Sequence, residues 1–319
     1  MNLIDVVQQF KTDDDCLDYL EALRWPDGKT CPFCDHAKIS RIELSSDTVT
    51  RKKADGTVRE HKRRTRLYEC ASCEKQFTPT LGTIFHDSHL PLVKWFMALA
   101  LLVDAKKGMS AKQLQTHLGV AYRTAWYMAH RIRKAMDQDE TEFPKLSGVV
   151  EVDETYVGGK SGFRGRSKKQ KDIVIGLRER GGRIRFMHAG DVKAGTLQQI
   201  IEQFVSNDVE MIVTDDFRSY PLAVKKFEGK HRTINHSAGY YVTGEDGKIH
   251  TNTVESAFSL LKRGIIGNYH FVSIKHLHRY LAEFEHRFNE RKNPERFDLT
   301  LRRMLTTEPI QYKELTASA

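Results

Sequence analysis

Hydrophobic residues recur at two different periods along this chain, and the change of period divides it into regions. Between residues 90 and 103 the apolar side chains repeat every three to four positions, which is typical of a helix with one buried face. From residue 148 onward, short apolar runs of strand length are separated by turn residues. The pattern therefore predicts a helical region followed by a mixed α/β region.

The α/β region begins with three predicted strands, followed by a helix and a fourth strand. We expect the strands at 148–157, 172–178, 183–188 and 210–214, and the helix at about 195–205. This order predicts a mixed sheet with helices on its faces, compatible with an RNase H-like core. In such a core the first and fourth strands are neighbours, so Asp153 and Asp215 would face each other across about 4.7–4.9 Å.

The helical region contains a short helix, a glycine turn and a longer basic helix. Ser110 is the candidate cap of the short helix, Gly119 makes the turn, and residues 122–134 form the longer helix. This outline is that of a helix-turn-helix, whose last helix enters the major groove of DNA. Arg123 and Thr124 are then the residues nearest to base edges. A plain three-helix packing domain would give the same pattern.

The first quarter of the chain holds all five cysteines. Four form two C-x-x-C pairs, the spacing that lets thiolates surround one tetrahedral zinc ion, and four protein ligands make that ion structural. A redox dithiol would leave one pair unexplained. Cys16 is left over, and we expect it to be buried in the N-terminal helical segment. This segment is predicted to contain two helices, and Thr12 is available as the cap of the second. The predicted zinc ligands are Cys31, Cys34, Cys70 and Cys73.

The two pairs are separated by 35 residues, which include a segment dense in Arg and Lys at 48–66. Asp55-Gly56 lies between polar alternating stretches and predicts a hairpin there. This basic hairpin would either lie along DNA phosphates or be a solvated ribbon. After Cys73, residues 75–79 predict a last short strand.

Composition narrows the class of partner. The chain has 319 residues, which suggests two or three domains, and a net charge of +9, which indicates a polyanionic partner without distinguishing DNA, RNA or an anionic membrane. The sequence lacks an apolar run of the roughly 20 residues that span a bilayer, and residues 1–8 lack the features of a signal peptide. We therefore expect a soluble intracellular protein.

Three acids stand out by their position. Asp153 lies inside an apolar run, Asp215 ends another, and Glu255 opens a helical stretch at 252–263. If they converge, their oxygens would bind magnesium or manganese, hard cations that prefer carboxylates. Alternation along the strand cannot by itself choose between Asp153 and Glu154.

The motifs that contain these acids resemble one family. Residues 151–160 (Glu-Val-Asp-Glu-Thr-Tyr-Val-Gly-Gly-Lys), 213–216 (Val-Thr-Asp-Asp) and 250–264 are similar to the DDE transposases of bacterial insertion sequences that carry an N-terminal zinc ribbon. The segment 267–281, followed by Arg287-Phe-Asn-Glu-Arg291, matches as well. The resemblance covers nearly the whole chain.

This resemblance implies a set of site residues and cofactors. Asp153, Asp215 and Glu255 would hold two Mg²⁺ or Mn²⁺ ions, and Lys262, two helical turns after Glu255, would contact DNA phosphate beside them. Asn252 is a possible further participant. Asp216 stands where the family is expected to have glycine, so the choice between Asp215 and Asp216 stays open.

Other basic residues are predicted to contact DNA. The segment 159–171 carries six positive charges, no acid, and follows the first strand closely, so it would bind phosphate or form a solvated loop. The predicted DNA-binding residues are Arg123, Thr124, Arg131, Lys160, Arg164, Arg166, Lys168, Lys169, Lys262 and Arg263.

The predicted fold is multidomain α+β. An acidic linker at 137–144 marks one boundary. The predicted domains are an N-terminal helical segment at 1–27, a zinc ribbon with an inserted basic hairpin at 28–85, a helix-turn-helix domain at 88–137, an RNase H-like DDE catalytic domain at 145–300 and a C-terminal tail at 301–319.

The leading functional hypothesis is a transposase that cleaves the ends of an insertion sequence and transfers them to target DNA. Its partners would be double-stranded DNA, at terminal inverted repeats and at the target, and further copies of itself in a dimer or larger assembly. Two alternatives share parts of the same sequence: a domesticated DNA-binding regulator, and an RNase H-like nuclease that hydrolyses without joining.

Overall fold

The computed structural model describes residues 1–43, 48–52, 55–62, 66–137, 144–158, 171–235, 242–244 and 247–317. The chain divides into two compact units. Unit 1 combines Met1–Leu101, His117–Ala135 and Pro294–Ser318, and unit 2 combines Leu102–Thr116 and Met136–Asn293. Residues 294–300, which the predicted boundaries assign to the catalytic domain, are therefore grouped with the N-terminal residues.

The described helices and strands follow in chain order. The helices are α1 (Leu3–Gln9), α2 (Asp13–Arg24), α3 (Leu92–Asp104), α4 (Ala111–Leu118), α5 (Tyr122–Met136), α6 (Ala194–Phe204), α7 (Tyr220–Ala223), α8 (Asn252–Gly264), α9 (Ile274–Asn289), α10 (Arg296–Thr306) and α11 (Tyr312–Thr316). The strands are β1 (Ile39–Arg41), β2 (Thr48–Lys52), β3 (Val58–Lys62), β4 (Tyr68–Cys70), β5 (Gln76–Phe77), β6 (Val149–Val157), β7 (Asp172–Glu179), β8 (Ile184–Ala189), β9 (Met211–Asp215) and β10 (His231–Ile234).

Unit 1 begins with two capped helices. Thr12 caps α2: its hydroxyl accepts the N–H of Asp15 at 3.2 Å, and the Asp15 carboxylate accepts the N–H of Thr12 at 2.8 Å. Cys16 is fully buried in α2, and burial raises the pKa of its thiol to about 12. The predicted cap and the predicted burial of Cys16 are both confirmed.

The ribbon of unit 1 is a three-stranded antiparallel sheet in the order β1, β4, β5. Between β1 and β4 the chain forms a separate antiparallel hairpin of β2 and β3, in which Lys52 lies opposite Val58. Gly56 in its turn has a φ of +81°, a conformation that glycine adopts without strain. The hairpin predicted at Asp55-Gly56 and the short strand predicted after Cys73 are therefore confirmed.

Helix α10 packs with the N-terminal helices inside unit 1. The ring of Phe96 contacts Phe10 at a centroid distance of 4.7 Å and Phe297 at 5.9 Å. The hydroxyl of Tyr19 in α2 donates to Asp298 at 2.6 Å. These contacts explain why the residues after 294 group with the start of the chain.

Unit 2 is built on a five-stranded mixed sheet in the order β10, β9, β6, β7, β8. Strands β6, β7 and β8 are antiparallel neighbours, whereas β9 runs parallel to β6 and β10 runs parallel to β9. The four strands predicted in this region form within one or two residues of their expected bounds. The first and fourth of them, β6 and β9, are neighbours as predicted.

Helices cover both faces of this sheet. One core cluster joins Val150 and Val152 of β6 to Leu197 and Ile201 of α6, and it continues to Tyr220 of α7. A second cluster joins the opposite face to α8 and α9, through residues such as Val174, Phe186, Val254, Phe258, Leu281 and Phe284. Because side chains alternate along a strand, β6 presents Glu151, Asp153 and Thr155 to the side of α8.

The elements of unit 2 that were not predicted include strand β10 and a π-helical turn after α8. Strand β10 has the sequence His-Arg-Thr-Ile, and only Ile234 of its four residues is buried, so this edge strand carries no apolar run. After α8 the helix continues as a π-helical turn at Ile265–Tyr269, and His270 then has a φ of +59°. Within the described ranges, no helix has the length and apolar character needed to cross a membrane.

Candidate active site and metal centre

The four cysteines of the two C-x-x-C pairs meet at the edge of the ribbon. Their sulfur atoms all lie within 4.8 Å of one another, with Cys31 and Cys73 at 3.6 Å and Cys34 and Cys70 at 3.6 Å. Tetrahedral zinc with Zn–S bonds of about 2.3 Å would hold its sulfurs roughly 3.8 Å apart. The cluster fits that geometry and suggests a structural zinc ion.

Each cysteine pair is closed by the same backbone turn. The N–H of Asp35 donates to the carbonyl of Cys31, and the N–H of Glu74 donates to the carbonyl of Cys70, both at 2.9 Å. Asp35 and Glu74 have φ values of +57° and +56°, in the left-handed region. The two halves of the centre are therefore the same local structure formed twice.

Backbone N–H groups also point at the sulfurs. Phe33 donates to Cys31 Sγ and Ser72 donates to Cys70 Sγ, each at 3.4 Å. The N–H of Cys73, together with that of Ser72, lowers the pKa of the Cys70 thiol to about 7 against the opposing effect of burial. Such donors favour the thiolate form that binds metal.

A second cluster, of carboxylates, lies in unit 2 where β6 and β9 run side by side. Their parallel pairing covers Val149–Glu151 against Met211–Val213, and two residues further along each strand lie Asp153 and Asp215. Ligand atoms of Asp153, Glu154 and Asp215 lie within 4.8 Å of one another, and all three residues are half-buried. We call these three residues the carboxylate cluster.

Neighbouring groups fix the members of the carboxylate cluster. The N–H of Glu154 donates to Asp153 Oδ1 at 2.8 Å, and the N–H of Phe217 donates to Asp215 Oδ1 at 3.0 Å. The fully buried hydroxyl of Tyr220 donates to Glu154 Oε2 at 2.9 Å. Burial, and then the charges of Glu154, Asp153 and Asp215, raise the pKa of Tyr220, so its proton stays available for this bond.

The electrostatics of the carboxylate cluster are unfavourable without a cation. Desolvation raises the pKa of Asp153 to about 8, and the negative charges of Glu154, Asp215 and Glu255 act in the same direction. Several acids held together at this depth are expected where a divalent cation binds, because the cation offsets their repulsion. An all-oxygen donor set suits a hard cation such as Mg²⁺.

Glu255 and Lys262 lie on α8, as predicted, two turns apart. Glu255 is in the first turn, where its Oε1 accepts the hydroxyl of Thr251 at 2.8 Å. Its charge acts on Asp153, although its oxygens fall outside the 4.8 Å grouping. Desolvation lowers the pKa of the Lys262 ammonium, and Asp153 opposes that shift, so Lys262 also lies within electrostatic reach of Asp153.

A glycine lets α8 approach the strand beside Asp153. Gly176 of β7 is the registered partner of Asp153. A Cβ atom at Gly176 would lie 2.6 Å from the ring of Phe258 and 3.0 Å from Val254, both in α8. The helix that carries Glu255 therefore packs directly on the backbone opposite Asp153.

The structure distinguishes some residues that the sequence left open. Asp215 belongs to the carboxylate cluster, whereas Asp216 is exposed and lies outside it. Asn252 is the exposed first residue of α8. Glu154, which alternation could not separate from Asp153, joins Asp153 in the cluster although the two side chains leave β6 on opposite faces.

The predicted DNA-contacting residues lie in different environments. Arg123 is exposed, with its guanidinium 4.0 Å from the ring of Tyr312, and Thr124 is half-buried. Arg131 is buried: it donates to the carbonyl of His86 at 2.8 Å and lies over the ring of Trp95. The structure therefore places Arg131 in the core of unit 1, away from a position that contacts phosphate.

Lys262 and Arg263 are both exposed on α8. The remaining predicted contacts lie outside the described residues; they are Lys160, Arg164, Arg166, Lys168 and Lys169.

Tyr220 and Glu151 contact the site or the helix that carries Glu255, but neither was predicted as a site residue. Tyr220 follows Asp215 by five residues in a stretch without periodicity, and only the fold brings its hydroxyl to Glu154. Glu151 alternates with Asp153 on the same face of β6 and is fully buried. A charged residue within an apolar strand was the available signal, because such a residue needs a specific partner when buried.

Two family models match the chain. Residues 145–289 match the ISXO2-like transposase domain, and residues 11–76 match a transposase zinc-ribbon domain. The matches identify an insertion-sequence transposase with an N-terminal zinc ribbon, and they confirm the resemblance stated from the motifs. DNA transposition, the predicted function, is supported by the same matches.

One relative from a transposable element agrees with the family matches. The chain is 28% identical over 300 residues to an uncharacterized protein in the transposable element ISH50 of Halobacterium salinarum, covering 88% of this chain and 92% of that protein. Two solved structures with 13% and 12% identity are a pre-cleavage Mos1 transpososome and the Mos1 strand transfer complex. They cover 64% and 66% of this chain and 76% and 74% of those chains; their TM-score of 0.26 is too low to establish a shared fold.

Proposed function

We propose that unit 2 is an RNase H-like catalytic domain of the DDE type, which cleaves the ends of an insertion sequence and joins them to target DNA. Asp153, Asp215 and Glu255 would hold two Mg²⁺ or Mn²⁺ ions. The convergence of Asp153, in the middle of β6, with Asp215, at the end of the parallel strand β9, supports this proposal most directly. Asp153 also lies within the electrostatic reach of both Glu255 and Lys262.

Divalent ions bound there would supply activation of the attacking oxygen and stabilisation of the leaving oxygen in an in-line displacement at phosphorus. The protein supplies the geometry. Asp153 and Asp215 present fixed carboxylate oxygens, and Thr251 orients Glu255. Lys262 is an exposed residue on the same helix face as Glu255, and its ammonium would contact a DNA phosphate. The same site would serve hydrolysis, with water attacking, and joining, with a DNA 3′-hydroxyl attacking.

DNA recognition is assigned to the helical region 88–137 and to the basic residues near the catalytic acids. Helices α4 and α5 are proposed as a helix-turn-helix, with Arg123 and Thr124 toward base edges. The Ser110 cap, which accepts the N–H of Gln113 at 3.2 Å, and Gly119 with a φ of +58° support the expected boundaries of these helices. The segment 159–171 is proposed to bind phosphate, and the active form to be a dimer or larger assembly on DNA.

Neighbouring aspartates offer a matched test of the catalytic assignment. The substrate is a duplex that ends in the inverted repeat to be identified by sequencing the DNA that flanks the gene. Full-length protein is assayed in Mg²⁺ for end cleavage and for joining to a plasmid. Asp153→Asn and Asp215→Asn should each lower both activities at least about a thousandfold, equivalent to roughly 4 kcal/mol of transition-state stabilisation. Binding of the duplex in a gel-shift assay should remain.

Asp216→Asn is the control and should keep both activities, because Asp216 lies outside the carboxylate cluster. Loss of activity in Asp216→Asn with retention in Asp215→Asn would reverse the assignment. Cleavage by the unaltered protein without any joined product would favour the nuclease alternative, and duplex binding without cleavage would favour the regulator.

A further inference from the structure

Glu151 is a fully buried carboxylate on β6, two residues before Asp153 and on the same face of the strand. An ionised carboxylate at that depth costs several kcal/mol unless its oxygens are paired and hydrogen-bonded. Its surroundings within unit 2 therefore indicate what the residue does.

One oxygen of Glu151 holds the start of α8. Its Oε2 accepts the N–H of Thr253 at 2.8 Å and the N–H of Val254 at 2.9 Å. The first N–H groups of a helix have no partner inside the helix, and a negative charge at this end is also favourable. Thr251, the residue at the N-cap, makes no side-chain cap, and its hydroxyl donates to Glu255 at 2.8 Å. The carboxylate that holds α8 thus comes from the strand that carries Asp153.

The other oxygen of Glu151 holds the segment that leads into α8. Its Oε1 accepts Arg180 Nε at 2.6 Å and lies 3.2 Å from His250 Nδ1. The remaining nitrogens of Arg180 donate to the carbonyls of Lys248 at 2.5 Å and His250 at 2.8 Å. Glu151 and Arg180 therefore fix both the entry to the helix and its first turn.

We infer that Glu151, with Arg180, is a positioning residue that sets the distance between Glu255 and Asp153. Val254, whose N–H Glu151 accepts, directly precedes Glu255 in the chain, and Glu151 and Asp153 are separated by one residue of β6. The contact therefore couples the two elements that carry these acids. The metal-affinity part of this inference rests on the proposed function; the positioning of α8 does not.

The test uses Glu151→Gln in the full chain, since glutamine keeps the shape of the side chain and removes its charge. Hydrogen–deuterium exchange reports on the amides of 250–258, and titration with Mn²⁺ alone, followed by electron paramagnetic resonance, reports on the metal site. Glu179→Gln is the matched control: Glu179 lies in the same sheet and accepts the N–H and hydroxyl of Ser147, away from α8.

We expect faster exchange confined to 250–258 and a half-saturating Mn²⁺ concentration raised about tenfold in Glu151→Gln, as for other residues that orient metal ligands. Glu179→Gln should change neither. Unchanged exchange at 250–258 would overturn the positioning of α8. Two results would overturn the role of Glu151 toward the metal site. One is faster exchange throughout the sheet in Glu151→Gln, and the other is faster exchange at 250–258 with unchanged Mn²⁺ binding.

Arg180→Gln provides the second variant if Glu151→Gln does not fold, because Arg180 is partly exposed and holds the same segment. It should give the same local exchange and the same weakening of Mn²⁺ binding, and the absence of both would overturn the inference. Asp153→Asn separates this inference from the proposed function: it should lose Mn²⁺ binding while exchange at 250–258 is unchanged. If the unaltered protein binds no Mn²⁺, the metal site fails, and exchange alone still decides whether Glu151 holds α8.

Discussion

The cysteine cluster of unit 1 and the carboxylate cluster of unit 2 are both sets of metal-binding side chains, but they are assembled differently. Each cysteine pair is made by a turn of a few residues, and its sulfurs accept N–H groups from the same turn. Asp153, Asp215 and Glu255 come from two strands and a helix that are far apart in sequence. The first centre is local, whereas the second requires the complete fold of its unit.

The two clusters should also affect stability in opposite directions. The ribbon core is small, consisting of Cys31, Tyr68, Cys70 and Phe77 with a few flanking residues, so a bound metal would supply much of its folding free energy. Unit 2 has two extensive hydrophobic clusters and carries its acids as an electrostatic cost. Four measurements test whether the two clusters differ in this way.

The largest effect is expected from removing zinc or a zinc ligand. Cys70→Ser, or a chelator, should unfold the ribbon, since structural zinc contributes about 10 kcal/mol or more in small domains. Hydrogen–deuterium exchange should show lost protection in β1, β4 and β5 and retained protection in β6 to β9. Cys16→Ala is the control and should keep its zinc, measured by metal analysis. Loss of protection in both units would contradict the local character of this centre.

A buried but paired acid should make unit 2 lose stability as pH rises. Burial raises the pKa of Glu285 to about 7 from 4.5, despite the N–H of Phe186 and the guanidinium of Arg185. Between these values the folded state retains a proton that the unfolded state has released, so the free energy of unfolding falls by about 3 kcal/mol.

Glu285→Gln should remove this contribution when urea unfolding is measured from pH 4.5 to 7.5, and leave the separate fall caused by Asp153, whose pKa is also raised. The exposed Glu210 provides a control, since Glu210→Gln should keep the slope of the unaltered protein. An equal slope in Glu285→Gln would show that Glu285 does not titrate in this range.

Mg²⁺ should stabilise the unaltered protein but not Asp153→Asn. At a hundred times the dissociation constant, a ligand of the folded state adds about 2.7 kcal/mol, which thermal unfolding can detect. Without divalent cations Asp153→Asn should be at least as stable as the unaltered protein, because the substitution removes a carboxyl group whose ionised form is disfavoured by burial and by the neighbouring acids. Asp216→Asn should be stabilised by Mg²⁺ as much as the unaltered protein is. Stabilisation of Asp153→Asn by Mg²⁺ would exclude Asp153 as a ligand.

The smallest effect is expected at the bond between Tyr220 and Glu154. Tyr220→Phe removes a hydroxyl that donates to a carboxylate at 2.9 Å, and should cost about 1.5 kcal/mol in urea unfolding. Combining it with Glu154→Gln gives a double-mutant cycle, in which the two costs should not add. Additive costs would mean that the bond contributes nothing to stability.

The contrast between the clusters also explains what could be predicted from the sequence. The cysteine pairs and the strands of unit 2 have short-range patterns, and those predictions were confirmed. Strand β10 escaped because its residues are polar and it lies at the edge of the sheet. Arg131 was expected to contact DNA because a basic helix gives no indication of which face is buried; the fold packs it against Trp95 and His86.

The carboxylate cluster was predictable only in part. The motifs selected Asp153 and Asp215, and the parallel pairing of β6 and β9 brings them together. Alternation predicts that Asp153 and Glu154 point to opposite faces of β6. Their oxygens nevertheless meet, because both residues lie beyond Glu151, the last residue of β6 that pairs with β9. Which buried acid holds which helix, as with Glu151 and α8, depends on distances that no local pattern encodes.

The hairpin of β2 and β3 enters and leaves the ribbon at a single point. Ile42 donates its N–H to the carbonyl of Leu67 at 2.8 Å, directly beyond the pairing of Arg41 with Tyr68. A segment whose two ends coincide can be shortened, lengthened or exchanged without moving the cysteines on either side. A hairpin of another length placed between Glu43 and Arg66 should therefore leave the zinc centre intact.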